Sequence, residues 1–126
     1  DVRLRRAVAS SEVLARRLSQ RDDVQVIWPG LPDHPDHALA LAQMDLITPI
    51  LGLIPQGGEA RAQRICESTS LWRHATSLGG VESTLERRRR HPAESDQVDP
   101  ALIRLSVGIE AVDDLWDDLQ AALGAP

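Results

Sequence analysis

The chain contains no lysine, no phenylalanine and no tyrosine, and it has one cysteine, Cys66. Without lysine, any mechanism that requires a side-chain amine is excluded. All fourteen basic residues are arginine, whose pKa above 12 prevents it from serving as the neutral amine that attacks a carbonyl to form a Schiff base. One cysteine rules out an internal disulfide framework and a multi-cysteine zinc site, as expected for a reducing compartment, so a cytoplasmic location is predicted. No apolar run reaches the roughly 18 residues of a membrane span, and Asp1-Val2-Arg3-Leu4-Arg5-Arg6 lacks a signal peptide's apolar stretch. No membrane partner is expected.

A length of 126 residues with 42% hydrophobic content suits one domain able to bury its own core. The formal net charge of -5 opposes a nucleic-acid partner, because phosphate contacts need a concentrated positive surface.

Periodicity supplies the elements. Leu4, Val8, Ser11, Leu14, Ala15 and Leu18 recur at helical spacing, with Arg5, Arg6, Arg16 and Arg17 on other faces. This helix begins at residue 1 with only Asp1 as a cap, which points to a chain cut from a longer one. Val24 to Trp28 alternates as a strand, Pro29-Gly30 stops it, and a helix is predicted from about Asp36 to Met44. Leu46 to Ile54 reads as a strand with an edge or bulge at Pro49. Further on, the pattern predicts a helix over Glu59 to Thr69 and strands over Leu71 to Thr76 and Val81 to Leu85. Residues 91 to 100 form a surface loop, and a strand follows from Leu102. In that strand Ile103, Leu105, Val107 and Ile109 share one face, with Leu102, Arg104 and Ser106 on the other. The closing helix carries Val112, Leu115, Trp116, Leu119, Ala122 and Leu123 on one stripe. Together these predict an α+β fold, a mainly antiparallel sheet of about four strands covered by helices.

Four stretches resemble the cystathionine synthase and lyase family, fold-type I pyridoxal-phosphate enzymes of cysteine and methionine metabolism. They are Trp28-Pro29-Gly30-Leu31-Pro32 with His34-Pro35 and His37; Gln43-Met44; Ala75 to Ser83, reading Ala-Thr-Ser-Leu-Gly-Gly-Val-Glu-Ser; and Leu102 to Glu110, reading Leu-Ile-Arg-Leu-Ser-Val-Gly-Ile-Glu. Their order and approximate spacing match the family's C-terminal small domain over nearly the whole chain. The resemblance implies a single domain over residues 1–126 that binds the substrate's α-carboxylate, with the N-terminal domain carrying pyridoxal phosphate and its lysine absent. It further implies an amino acid thioether as substrate, a homo-oligomeric enzyme, β- or γ-elimination or replacement as the reaction, and no activity for this chain alone. The alternative is a noncatalytic remnant or fragment acting only as an association module. The chain departs from the family in a shorter passage from Arg87 to Pro100, and in lacking a glycine pair after Gln43-Met44.

By that resemblance Arg104 matches the carboxylate-binding arginine, Ser77 the serine beside it, and the Leu78 amide a neutral donor nearby. The chemistry agrees, since a planar guanidinium holds a carboxylate through two parallel charge-assisted bonds. No catalytic or cofactor-binding residue is assigned in this chain. Other clusters have blander readings. Asp33, His34, Asp36 and His37 have metal-ligand chemistry, but two prolines and a helix entry account for them, so no metal is expected. Glu86 with Arg87-Arg88-Arg89-Arg90-His91 has the charge to attract phosphate. With no interleaved aromatic residue, however, a solvated face or an interdomain contact is the favoured reading. Cys66 is predicted to be a buried small hydrophobe, and Trp28 and Trp116 core anchors.

Overall fold

The computed structural model describes residues 1–90 and 93–124. Among these, α1 spans Val2–Leu18, β1 Val24–Ile27, α2 His37–Gln43, β2 Ile50–Pro55 and α3 Gly58–Ser68. They are followed by β3 at Arg73–His74, β4 at Thr84–Arg87, β5 at Ile103–Ser106 and α4 at Val112–Leu123. The sheet has the order β1-β2-β5-β4-β3. Every pairing is antiparallel except β3 with β4. The fold is therefore the predicted α+β arrangement, with five strands in place of about four; the edge strand expected over Leu71 to Thr76 is only two residues long and exposed.

Strand alternation separates two faces. Leu51, Leu53, Leu85, Ile103 and Leu105 are all 1% exposed or less and point to the helices, where Leu14, Leu18, Ile65, Leu115 and Leu119 complete the core. Burying each such aliphatic side chain contributes about 1.5–3 kcal/mol. The opposite face bears Ile27, Ile50, Gly52 and Arg104, which are only partly covered. This uncovered face is where a site can be built.

Several boundaries differ from the periodicity for identifiable reasons. The strand expected from Leu46 begins at Ile50, because Pro49 has no N–H for the ladder; its carbonyl instead accepts the Val107 amide at 3.0 Å. Pro49 is thus neither an edge nor a bulge, and β2 lies between β1 and β5. The strand expected over Val81 to Leu85 starts at Thr84 and runs on into the arginine run. Upstream of it, the Val81 carbonyl accepts from Ile109 and Ser83 is engaged by Glu110. Of the predicted loop over 91 to 100, residues 91 and 92 lie outside the described residues.

Trp28 is buried, as expected, and its indole N–H donates to the Thr48 carbonyl at 2.8 Å. Trp116 is only partly buried, whereas Trp72, not singled out by its pattern, is 1% exposed and donates to the Leu115 carbonyl. No helix among the described residues is long and apolar enough to cross a membrane.

Candidate functional site: a guanidinium beside a glycine notch

The two long motifs that end in Ser83 and Glu110 lie against one another. Glu110 Oε1 accepts the Ser83 amide at 2.6 Å, and Oε2 accepts its hydroxyl at 2.8 Å. The Ser83 hydroxyl in turn accepts the Gly108 amide at 2.8 Å. Gly79 donates to the Ser106 hydroxyl, and the Thr84 hydroxyl donates to the Ser77 carbonyl. A Cβ on Gly108 would stand 2.2 Å from the Val81 carbonyl oxygen, so only glycine permits this approach. The loop over 75–83 is thereby fixed over the open face of β5.

Arg104 reaches that loop. Its Nη2 donates to the carbonyls of Thr76 at 2.8 Å and Ser77 at 3.1 Å, with Ala75 at 3.5 Å. The structure thus brings Arg104 and Ser77 together, but through the Ser77 carbonyl and not through its hydroxyl. Ser77 is exposed, and so is Leu78, at 59%. The Arg104 side chain is 16% exposed, and its Nε is buried without a hydrogen-bond partner.

Strand register places Ile27, Gly52, Arg104 and Glu86 in one row across the sheet. Because Gly52 has no side chain, the row is notched beside Arg104. The resulting cleft, about 420 Å³, is lined by Ile27, Ile50, Gly52, Leu102, Arg88 and Arg104 among others. Two guanidinium groups in an otherwise mostly apolar cleft are suited to a ligand with one anionic and one apolar part.

The arginine run is not simply a solvated face. Glu86 is 1% exposed, and its carboxylate meets three guanidinium groups: Arg88 at 2.8 Å, Arg104 at 3.4 Å, and Arg90. Arg87 points to the other face, where it pairs with Glu59 at 3.2 Å and hydrogen-bonds Gln63 on α3. His91 lies outside the described residues. Glu86, Arg88 and Gly52 were not picked out from the sequence as site residues. The signal available for Glu86 was its two-residue offset from Thr84, hidden within a run of charge.

The remaining candidates have structural roles. His37 Nδ1 donates to the Pro29 carbonyl at 2.8 Å, and His34 Nδ1 accepts the Asp36 amide. Among the described residues no group of three or more His, Cys, Asp or Glu is placed to hold a metal ion. Cys66 is buried, and burial, only partly opposed by Arg87, pushes its thiol up to about 11.

The family model for Cys/Met metabolism PLP-dependent enzymes matches residues 1–124. The chain belongs to that family. Members similar to it include a cystathionine gamma-synthase of Mycobacterium tuberculosis, 36% identical over 133 residues, with 98% of this chain and 33% of the relative covered. An L-methionine gamma-lyase of Pseudomonas deceptionensis is 35% identical over 138 residues, with 98% and 33% covered. Among solved structures, metB from Corynebacterium glutamicum superposes with a TM-score of 0.91 at 38% identity, covering 97% of this chain and 33% of that one. A putative O-acetylhomoserine (thiol)-lyase from Campylobacter jejuni, solved with N'-pyridoxyl-lysine-5'-monophosphate, superposes with a TM-score of 0.89 at 28% identity, covering 97% and 31%. This member of the Cys/Met metabolism enzymes spans about a third of the length of the curated relatives it matches.

The family is dependent on pyridoxal phosphate. This chain has no lysine, and the cleft beside Arg104 offers two guanidinium groups among mostly apolar walls. Its residues therefore do not fit a covalently anchored cofactor.

Proposed function

We propose that this chain is the C-terminal, substrate-carboxylate-holding domain of a PLP-dependent lyase or transferase acting on thioether amino acids, and that it is inactive alone. The observation that carries this reading is the position of Arg104 beside the notch at Gly52. A guanidinium set against an apolar wall pairs with a carboxylate more strongly than one in bulk water, because less solvent screens the pair. Ser77, whose carbonyl receives Arg104, and the exposed Leu78 after it are assigned in this reading as the source of neutral donors to the carboxylate. The chain's own contribution is then orientation. Fixing the carboxylate reduces the rotational freedom of the bound amino acid before any bond is broken.

The cofactor, held in another part of the enzyme, supplies the electron withdrawal, and no residue of this chain is assigned to it. The names of the relatives, cystathionine gamma-synthase and L-methionine gamma-lyase among them, support the substrate class and leave elimination and replacement both open. A cytoplasmic homo-oligomer is part of the same reading.

Titration with L-cystathionine, followed by NMR, tests it. Wild-type chain is expected to show shifts centred on Arg104 and saturable binding, which Arg104→Gln weakens strongly without abolishing it while leaving the fold intact. Mixed with pyridoxal phosphate and L-cystathionine, the isolated chain is expected to release no elimination product; turnover by the chain alone would overturn the proposal.

A second reading, an association module without catalysis, draws on the half-exposed Ile27, Ile50 and Leu102 of the open face. Self-association that persists in Arg104→Gln, together with no response to any amino acid, would favour it.

A further inference from the structure

We infer that Glu86 is a positioning residue for Arg104: a buried carboxylate whose task is to fix the direction of the guanidinium at the cleft. The inference rests on the carboxylate-binding reading of Arg104 and adds a residue to which that reading gives no role.

Glu86 and Arg104 are directly opposite one another on antiparallel β4 and β5, so their Cβ atoms leave the sheet side by side on the open face. Glu86 is 1% exposed. A carboxylate removed from water to that degree is strongly unfavourable unless opposite charge compensates it. Here the compensation is larger than required: Arg88 and Arg104 approach Oε2 at 2.8 Å and 3.4 Å, and Arg90 approaches Oε1. Glu86 thus faces three positive charges, with Glu94, 3.9 Å from Arg88, as the second carboxylate of the cluster, and two of the three arginines, Arg88 and Arg104, line the same cleft. The excess of positive charge sits where an incoming anion would arrive.

The geometry at Arg104 explains what Glu86 adds. Nη2 is already directed to the carbonyls of Thr76 and Ser77, and Glu86 Oε2 forms an ion pair with that same nitrogen at 3.4 Å. A planar guanidinium with one nitrogen fixed among several acceptors loses most of its rotational freedom, and its remaining edge keeps one orientation. Carbonyls alone offer partial charges. The buried carboxylate supplies the full charge that retains the cation in this place when no ligand is bound.

The experiment uses the whole chain with 15N label in arginine, reading the Arg104 Nε–H signal, which the structure places out of contact with solvent, and the Kd for L-cystathionine. Glu86→Ala is expected to speed exchange of the Arg104 Nε–H and to weaken binding about 10-fold, equivalent to about 1.4 kcal/mol of lost positioning. Glu86→Gln keeps an acceptor oxygen and is expected to fall between wild type and Glu86→Ala in both readouts; it decides the matter if the alanine variant does not fold. In an Arg104→Gln background the Glu86 substitutions should have no further effect on binding.

The inference is overturned if the Arg104 Nε–H is unchanged in folded Glu86→Gln, or if Glu86 substitutions weaken binding equally with and without Arg104. Should wild type fail to bind L-cystathionine at any concentration, the carboxylate reading fails by itself, and exchange at Nε–H still decides whether Glu86 positions Arg104.

Discussion

Ser83 and Glu110 are joined twice, the glutamate accepting both the amide and the hydroxyl of the serine at 2.6 Å and 2.8 Å. This pair closes the loop whose carbonyls receive Arg104. Glu110→Ala is expected to destabilise the chain by about 1.5–3 kcal/mol, the usual scale for hydrogen bonds to a charged group. It should also broaden the NMR signals of residues 76–80 more than those of α3. Urea denaturation gives the first quantity and relaxation measurements the second. An unchanged midpoint would show that Gly108 and the backbone suffice to hold the loop.

A second carboxylate organises a different region. Asp118 on α4 accepts the amides of Ser70, Leu71 and Trp72 at 2.8–3.1 Å, fixing the turn that leads α3 into β3. Asp118→Ala leaves those three N–H groups without that acceptor, and a loss of about 2–3 kcal/mol is expected. Asp118→Asn, which keeps one acceptor oxygen, should recover part of it. Thermal unfolding of the two variants side by side checks the order.

The pH dependence of stability should centre on Asp23. Its carboxyl lies between Arg21, bonded at 2.8 Å and 2.9 Å, and Arg61 at 2.5 Å. Hydrogen bonding to Arg21 is the main reason its pKa is lowered from 3.8 to about 2, with Arg61 adding to the shift and burial opposing it. The folded value lies below the unfolded one, so this stabilisation is fully present above about pH 4 and is lost as pH falls toward 2. Melting temperatures between pH 5 and pH 2 should decline more steeply in wild type than in Asp23→Asn. Parallel curves would show that other carboxylates govern acid unfolding.

Cys66 is the thiol test of the core. With its pKa near 11 and 2% exposure, it is expected to react with a thiol reagent at pH 8 far more slowly than free cysteine, and to reach the free rate in denaturant. Fast labelling of the native chain would mean that α3 opens readily from the sheet.

Much of this fold could be read directly from residue spacing. The stripe of Leu115, Leu119 and Leu123 and the alternation of Ile103 and Leu105 are core positions at 4% exposure or less, because a single period over several residues has one structural solution. Short strands were harder to place. The starts of β2 and β4 depend on where the Pro49 carbonyl, the Val81 carbonyl and Ser83 find partners from the segment after β5, and no local pattern encodes such long-range bonds. The candidate site divides the same way. Arg104 and Ser77 were legible through motifs, whereas Gly52 and Glu86 become neighbours of Arg104 only through cross-strand register.

The three indoles sit in unlike surroundings: Trp28 and Trp72 are sealed inside, and Trp116 is partly open beneath the Arg17 guanidinium, 5.7 Å from its ring centre. Since the chain has no tyrosine, its ultraviolet emission arises from these three alone. A soluble quencher such as iodide should therefore extinguish one fraction of the light in the native state, and the rest only once the sheet and α4 come apart.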